Sequence, residues 1–205
     1  GSGTGNLSVL LKRQGASVTS CDFSESALAV HRAKDPGALL VQADLEKPLP
    51  FDTGAFDAVC CASVIFALSQ EGCRLAVREF LRVLKPGGRL VLTVPAREIK
   101  LRNLVRMHGQ TLLKRHGFLG GTLRFLGDLP ALSRILYYNR RIFNLPDWKG
   151  FHRFSEAELR DLLGSSGFLG LEVGRTYGAC FMLMEALKLQ NEVQRVEENA
   201  LVLAK

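Results

Sequence analysis

Long apolar runs are missing from this sequence. No unbroken stretch reaches the ~20 residues that a membrane-spanning helix requires. No basic, then apolar, leader opens the chain, which starts on Gly1 and Ser2. A soluble protein of the cytoplasm is therefore expected. Cysteine is sparse: Cys21, Cys60, Cys61, Cys73 and Cys180 include no C-x-x-C pair, so neither a disulfide framework nor a metal site is expected. Cys60 and Cys61 lie in an apolar run, where free cysteine packs as a small hydrophobe. Internal repeats and low-complexity tracts are lacking as well. What remains is 205 residues, 47% hydrophobic and 23% charged, a composition suited to one globular unit.

Acid is scarce in one segment. Residues 97–153 hold twelve Lys or Arg against Glu98, Asp128 and Asp147, a local excess of +9 in a chain of net +7. The basicity therefore belongs to that segment and needs its explanation there.

Elsewhere the pattern alternates strands and helices. "NLSVLLKRQ" ahead of Gly15 reads as a short helix and "ASVTSCD" as a strand ending on Asp22. "ESALAVHRAK" reads as a helix with Ser24 at its N-cap and Pro36-Gly37 as its stop. "ALLVQAD" is a second strand, ending on Asp44, and "FDAVCCASVI" a third, of the kind covered on both faces. "GCRLAVREFLRVL" is an amphipathic helix with Arg74, Arg78 and Arg82 on one wet face, and "KPGG" turns the chain into the strand "RLVLTVP". This cadence predicts an α/β fold with a mostly parallel sheet between helices, binding its ligand at the carboxyl ends of the strands.

From 97 to 150 the rhythm changes. No strand is predicted there, only two basic amphipathic helices around Gly117, Gly120 and Gly121, the second interrupted by Pro130. This segment reads as an inserted helical cap, with 1–96 and 151–205 forming the α/β domain around it. Ser155 and Glu158 have the spacing of a capping box. "FLGLEV" then reads as a strand, "CFMLMEALKLQNEVQRV" as a helix and "ALVLA" as a final strand.

The opening "GSGTGN" is a glycine loop with no strand before it. Its glycines let the backbone approach a ligand, and the helix from Asn6 offers N–H groups and a positive dipole end to a carboxylate. No Lys followed by Ser or Thr comes after the loop, so a P-loop is not indicated. Asp22, at the end of the next strand, can accept both hydroxyls of a ribose, and Asp44 can accept from a purine amine. Each feature alone is weak, since an Asp at a strand end is commonly a turn former. Together they fall along one edge of a sheet.

In this combination the chain resembles the class I S-adenosylmethionine-dependent methyltransferases, in the small-molecule branch similar to ubiquinone and menaquinone biosynthesis enzymes. The motifs that carry the resemblance are "GSGTGN", "VTSCDFSESAL", "ADLEKPLPFDTGAFDAV" and "LRVLKPGGRLVLTVP". The resemblance implies a Rossmann-like three-layer sandwich with its last strand antiparallel and its first central strand missing. It places Gly1, Ser2, Gly3 and Gly5 at the methionine end of the cofactor and Asp22 at the ribose. Phe23 would lie on the adenine face, Asp44 and Leu45 at the adenine edge, and Ser63 and Val64 beside the transferred methyl. Because the strand ahead of the glycines is the central one in the family, the 205-residue chain alone is expected to fold poorly and bind the cofactor weakly.

An activated methyl needs positioning more than acid–base help, and a base only where the acceptor is a neutral hydroxyl or an acidic carbon. In relatives the loop after the fourth strand carries an acid and a His; here Phe66 and Ala67 stand there, implying an apolar wall toward the acceptor. His152 is then the leading base candidate, ahead of His108 and His116 in the cap, while His31 is expected to lie remote from the site. Tyr137 and Tyr138 can orient an acceptor or simply pack within the cap. The interleaved bases and apolar residues of the cap fit peripheral contact with an anionic membrane surface, an anionic substrate or a solvated face; nucleic acid is the least favoured. Methyl transfer to oxygen or carbon of a small hydrophobic acceptor is the first reading. An NAD-dependent oxidoreductase, which lacks support from the third glycine of G-x-G-x-x-G, and a catalytically inactive cofactor-binding module stay open.

Overall fold

Capping side chains set several of the helix boundaries. The computed structural model, which describes residues 1–97, 101–143, 151–176 and 180–190, opens on helix α1 (Asn6–Arg13), followed by β1 (Thr19–Asp22). In α2 (Glu25–Lys34) the N-cap Ser24 accepts the Ala27 N–H through its hydroxyl at 3.2 Å. β2 (Leu39–Gln42) and β3 (Phe56–Ala62) come next, then a 3-10 turn over Ile65–Ala67, α3 (Gln70–Val83) and β4 (Leu84–Pro95). The long helical segment α4 (Leu101–Phe143) separates this part from α5 (Glu156–Ser165), β5 (Phe168–Thr176) and β6 (Phe181–Lys188). The expected capping box is present on α5: the Ser155 N–H donates to Glu158 Oε2 at 2.6 Å, and the Glu158 N–H donates to Ser155 Oγ at 3.2 Å.

The strands form two sheets. β1 and β2 pair in parallel, with Asp22 opposite Gln42, and the second sheet has the order β3-β4-β6-β5. β3 runs parallel to β4, whereas β6 is antiparallel to both β4 and β5, so β6 is the reversed strand of this sheet. Among the described residues no ladder joins β1 to β3.

The hydrophobic core belongs to the larger sheet. Leu90, Leu92 and Val94 of β4 and Met182, Met184 and Ala186 of β6 meet Ala76, Val77 and Phe80 of α3 and Leu159 and Leu163 of α5, all buried. Alternate residues of each strand supply that face, the period-two pattern that places one side of a strand inward. Two polar side chains tie the loop before β3 to this layer: Arg82 donates to the carbonyls of Phe51 at 2.8 Å and Leu49 at 3.0 Å, and Glu79 accepts the Leu49 N–H at 2.7 Å.

Several expectations change. Phe181–Lys188, expected as the start of a helix, is strand β6; its Met, Leu and Ala favour helix, but the slot between β4 and β5 decides. The rest of that expected helix beyond Gln190, and "ALVLA", lie outside the described residues. "KPGG" is a bulge within β4 rather than a turn before it, since pairing advances from Phe56 opposite Leu84 to Ala58 opposite Arg89. β3 is not covered on both faces: Cys61 is buried, but Ala58, Cys60 and Ala62 are exposed, so only Cys61 packs as expected. Arg82 leaves the expected wet face to bind the Leu49–Phe51 carbonyls. Pro130 lies inside α4 without ending it, and the helical path breaks at Gly117, whose φ of 70° and ψ of 179° bend one arm away from the other. Among the described residues no helix is long and apolar enough to cross a membrane.

Candidate functional site

The carboxyl end of β1 is where the expected residues meet. The backbone nitrogens of Gly1 and Ser2 both donate to the carbonyl of Cys21, each at 2.8 Å, which lays the glycine loop across the strand end. The next residue, Asp22, receives the Gly3 N–H on Oδ2 at 2.7 Å and the Ser24 N–H on Oδ1 at 2.9 Å. One carboxylate thus pins the loop to the start of α2. Because each oxygen has two lone pairs, both keep acceptor capacity for a ligand. Gly5 closes the loop by donating to the Ser2 carbonyl at 3.0 Å, and its carbonyl accepts the first helical bond of α1, from Val9.

Gly5 has no alternative. Its φ of 80° is left-handed, and a Cβ there would overlap the ring of His31. His31 is wholly buried, and neither ring nitrogen has a hydrogen-bond partner among the described residues. The expectation that His31 lies remote from the site is therefore wrong: α2 turns Leu28 and His31 inward, three residues apart, and the imidazole forms the floor beneath the glycine turn. That spacing was the signal available in the sequence.

The second sheet contributes through the turn after β3. A Cβ on Gly1 would overlap the side chain of Val64, so the loop and this turn touch. Ser63 carries a φ of 58°, rare outside glycine, and donates its N–H to the Thr93 carbonyl at 2.9 Å. The strained residue is thereby held by β4. The same turn reaches the segment before α5, for the His152 N–H donates to the Phe66 carbonyl at 2.9 Å. Phe66 and Phe151 pack edge to face at 5.3 Å, and the His152 ring stands 4.3 Å from that of Phe154.

The adenine-side candidates follow β2. The Ala43 N–H donates to the Asp22 carbonyl at 3.0 Å, and the Gln42 amide to the Phe23 carbonyl at 3.1 Å, which ties the two strand ends together. Asp44 accepts the Glu46 N–H at 3.0 Å and faces Lys47 at 3.4 Å, while Leu45 is buried and Phe23 is 71% exposed. Gly1, Ser2, Gly3, Gly5 and Asp22 thus converge with Val64. Asp44 and Leu45 stand one strand further along.

Cys61 and Cys73 offer no nucleophile. Burial pushes Cys61 and Cys73 up to about 11, so both remain protonated near neutral pH. Of the other histidines, His108 pairs with Asp128 at 2.8 Å inside α4, far along the chain from this turn. Tyr137 and Tyr138 are both exposed, and the Arg141 guanidinium lies 5.9 Å over the Tyr137 ring.

The residues fit an adenosyl amino acid. The Ser2 hydroxyl is buried without a partner among the described residues, an orphan donor at the place where a ligand carboxylate would lie, and Asp22 has the capacity for two ribose hydroxyls.

The profile of a family described as a methyltransferase domain matches residues 1–92. A demethylmenaquinone methyltransferase of Beutenbergia cavernae is 41% identical over 91 residues, covering 44% of this chain and 36% of the relative. That of Streptomyces griseus is 36% identical over 148 residues, 65% of this chain and 63% of the relative. The chain therefore spans little more than a third of the first relative and less than two thirds of the second. A methyltransferase structure from Methanosarcina mazei superposes with a TM-score of 0.59 at 20% identity, covering 93% of this chain and 91% of that one. Residues 1–92 thus resemble a methyltransferase domain, and the chain shares its fold with the S-adenosylmethionine-dependent methyltransferase from Methanosarcina mazei.

Proposed function

We propose that the protein transfers a methyl group from S-adenosylmethionine to oxygen or carbon of a small hydrophobic acceptor. The observation that carries this reading is the meeting of the glycine loop, the Asp22 carboxylate at the carboxyl end of β1 and the Ser63-Val64 turn at the carboxyl end of β3. S-adenosylmethionine, when bound, supplies a methyl group on a sulfonium that is already electrophilic. Ser2 and the amino end of α1 hold its carboxylate, Asp22 the ribose hydroxyls, Asp44 and Leu45 the adenine edge, and Phe23 covers the adenine face. Ser63 and Val64 border the methyl, and Phe66 and Phe151 exclude water from the acceptor. His152 takes the acceptor's proton where the acceptor is a hydroxyl or an acidic carbon.

Residues 97–150 act as a cap over the acceptor, and its basic surface rests on an anionic membrane, where hydrophobic acceptors reside. A quinol acceptor is the first to try, because the relatives are demethylmenaquinone methyltransferases. The test is calorimetry with S-adenosylhomocysteine and with NADH, followed by turnover on quinols and phenols. Binding of S-adenosylhomocysteine, weakened about 10- to 100-fold by Asp22→Ala, is expected. Binding of NADH instead overturns the reading, and cofactor binding without turnover on any acceptor leaves only a binding module. His152→Ala should lower kcat by about 10²- to 10⁴-fold on a hydroxyl acceptor and remove the acid limb of the pH profile.

A further inference from the structure

The bend of α4 exposes apolar side chains of a kind that soluble surfaces seldom carry together. At Gly117 the two arms part, and the first side chains beyond it, Phe118 and Leu119, are 82% and 73% exposed. Leu123 and Leu126 continue the exposure four and seven residues beyond Leu119, so they share one face of the second arm. The arms themselves are joined further back, where His108 binds Asp128 at 2.8 Å. The apolar bend is thus the exposed end of two arms joined behind it.

Charge surrounds that end. Between residues 101 and 143 stand eight Lys or Arg, with Lys114 and Arg115 just before the bend and Arg124 just after it. The one acid in this span, Asp128, is the partner of His108.

We infer that the bend of α4 inserts into an anionic lipid surface, Phe118 and Leu119 entering the acyl boundary while Lys114, Arg115 and Arg124 bind the headgroups. This rests on the reading that the basic segment contacts a membrane. Two surfaces of like charge repel, which disfavours a second copy of the chain as the occupant. A nucleic acid would satisfy the bases but leave the leucine face in water, since binding of that kind stacks bases on aromatic platforms. Of these occupants an anionic bilayer accepts both parts, at the shallow depth of ~5–10 Å typical of interfacial helices.

Flotation on vesicles of phosphatidylcholine with phosphatidylglycerol, and on phosphatidylcholine alone, tests it. The parent protein is expected to float with the anionic vesicles only and to be released by salt. The double variant Phe118→Ser, Leu119→Ser should partition about tenfold or more weakly at unchanged melting temperature, because both positions are exposed in the free protein. In a Trp148→Phe background, Phe118→Trp should shift its fluorescence to the blue on binding and be quenched by brominated lipid. Anionic binding that leaves Trp at 118 unquenched, or that the serine pair does not weaken, overturns insertion and keeps the electrostatic contact. No binding to anionic vesicles, or preference for duplex RNA over them, overturns the membrane reading itself.

Discussion

His31 and Gly5 make one unit, although 26 positions separate them in the chain. The left-handed turn at Gly5 exists because only a residue without a side chain fits over the imidazole, and the imidazole is buried because α2 presents it there. Two substitutions separate volume from polarity. His31→Ala should cost about 2 kcal/mol through the cavity it leaves beneath the loop. His31→Leu should lie within about 1 kcal/mol of the parent or above it, since it fills the space and removes two unsatisfied nitrogens. Chemical denaturation reads both; equal losses would mean that the ring nitrogens, not the ring's bulk, support the turn.

At the scale of elements, the loop before β3 depends on α3. Glu79 receives N–H bonds from Arg82 at 2.7 and 2.8 Å and from Leu49 at 2.7 Å, and these hold its carboxyl below the usual carboxylate range, the Arg82 bond most strongly. A carboxyl lowered in the folded state contributes stability that is present above its unfolded value, ~4.3, and lost as pH falls through the folded value. Glu79→Gln should therefore be less stable than the parent by about 1–2 kcal/mol at neutral pH. The difference should close in acid, where the parent is protonated too. Melting temperatures of the two proteins between pH 7 and acid check this, and a gap that persists in acid would assign the loss to packing.

Across the whole molecule, stability is divided unevenly. The buried cluster is built almost wholly from β3 to β6, α3 and α5, whereas β1 and β2 form a separate pair that no ladder joins to β3 among the described residues. Two strands alone are marginal in water. Amide hydrogens of β1 and β2 should therefore exchange at least about tenfold faster than those of β4 and β6, measured by mass spectrometry after pepsin digestion. Uniform protection across both sheets would show that the glycine loop and its neighbours couple them into one cooperative unit. Saturating S-adenosylhomocysteine should slow exchange most in residues 1–5 and β1, because a ligand stabilises the state it binds.

The local alternation of patterns was enough to determine that the chain is α/β, that Asp22 and Asp44 follow successive strands, and that Ser24 and Ser155 cap helices, because caps and periodicity act within a few residues. The strand β6 was not legible, for its residues favour a helix and only the waiting edges of β4 and β5 overrule them. The floor of the site was legible only in part: the Leu28–His31 spacing marks an inward face of α2, but that the imidazole meets Gly5 is decided only when α2 folds over the loop. Arg82 likewise reads as surface until the carbonyls of Leu49 and Phe51, more than thirty residues earlier, come within its reach. Sequence alone determined what is short-range, and tertiary structure decided every partner that the chain brings back from a distance.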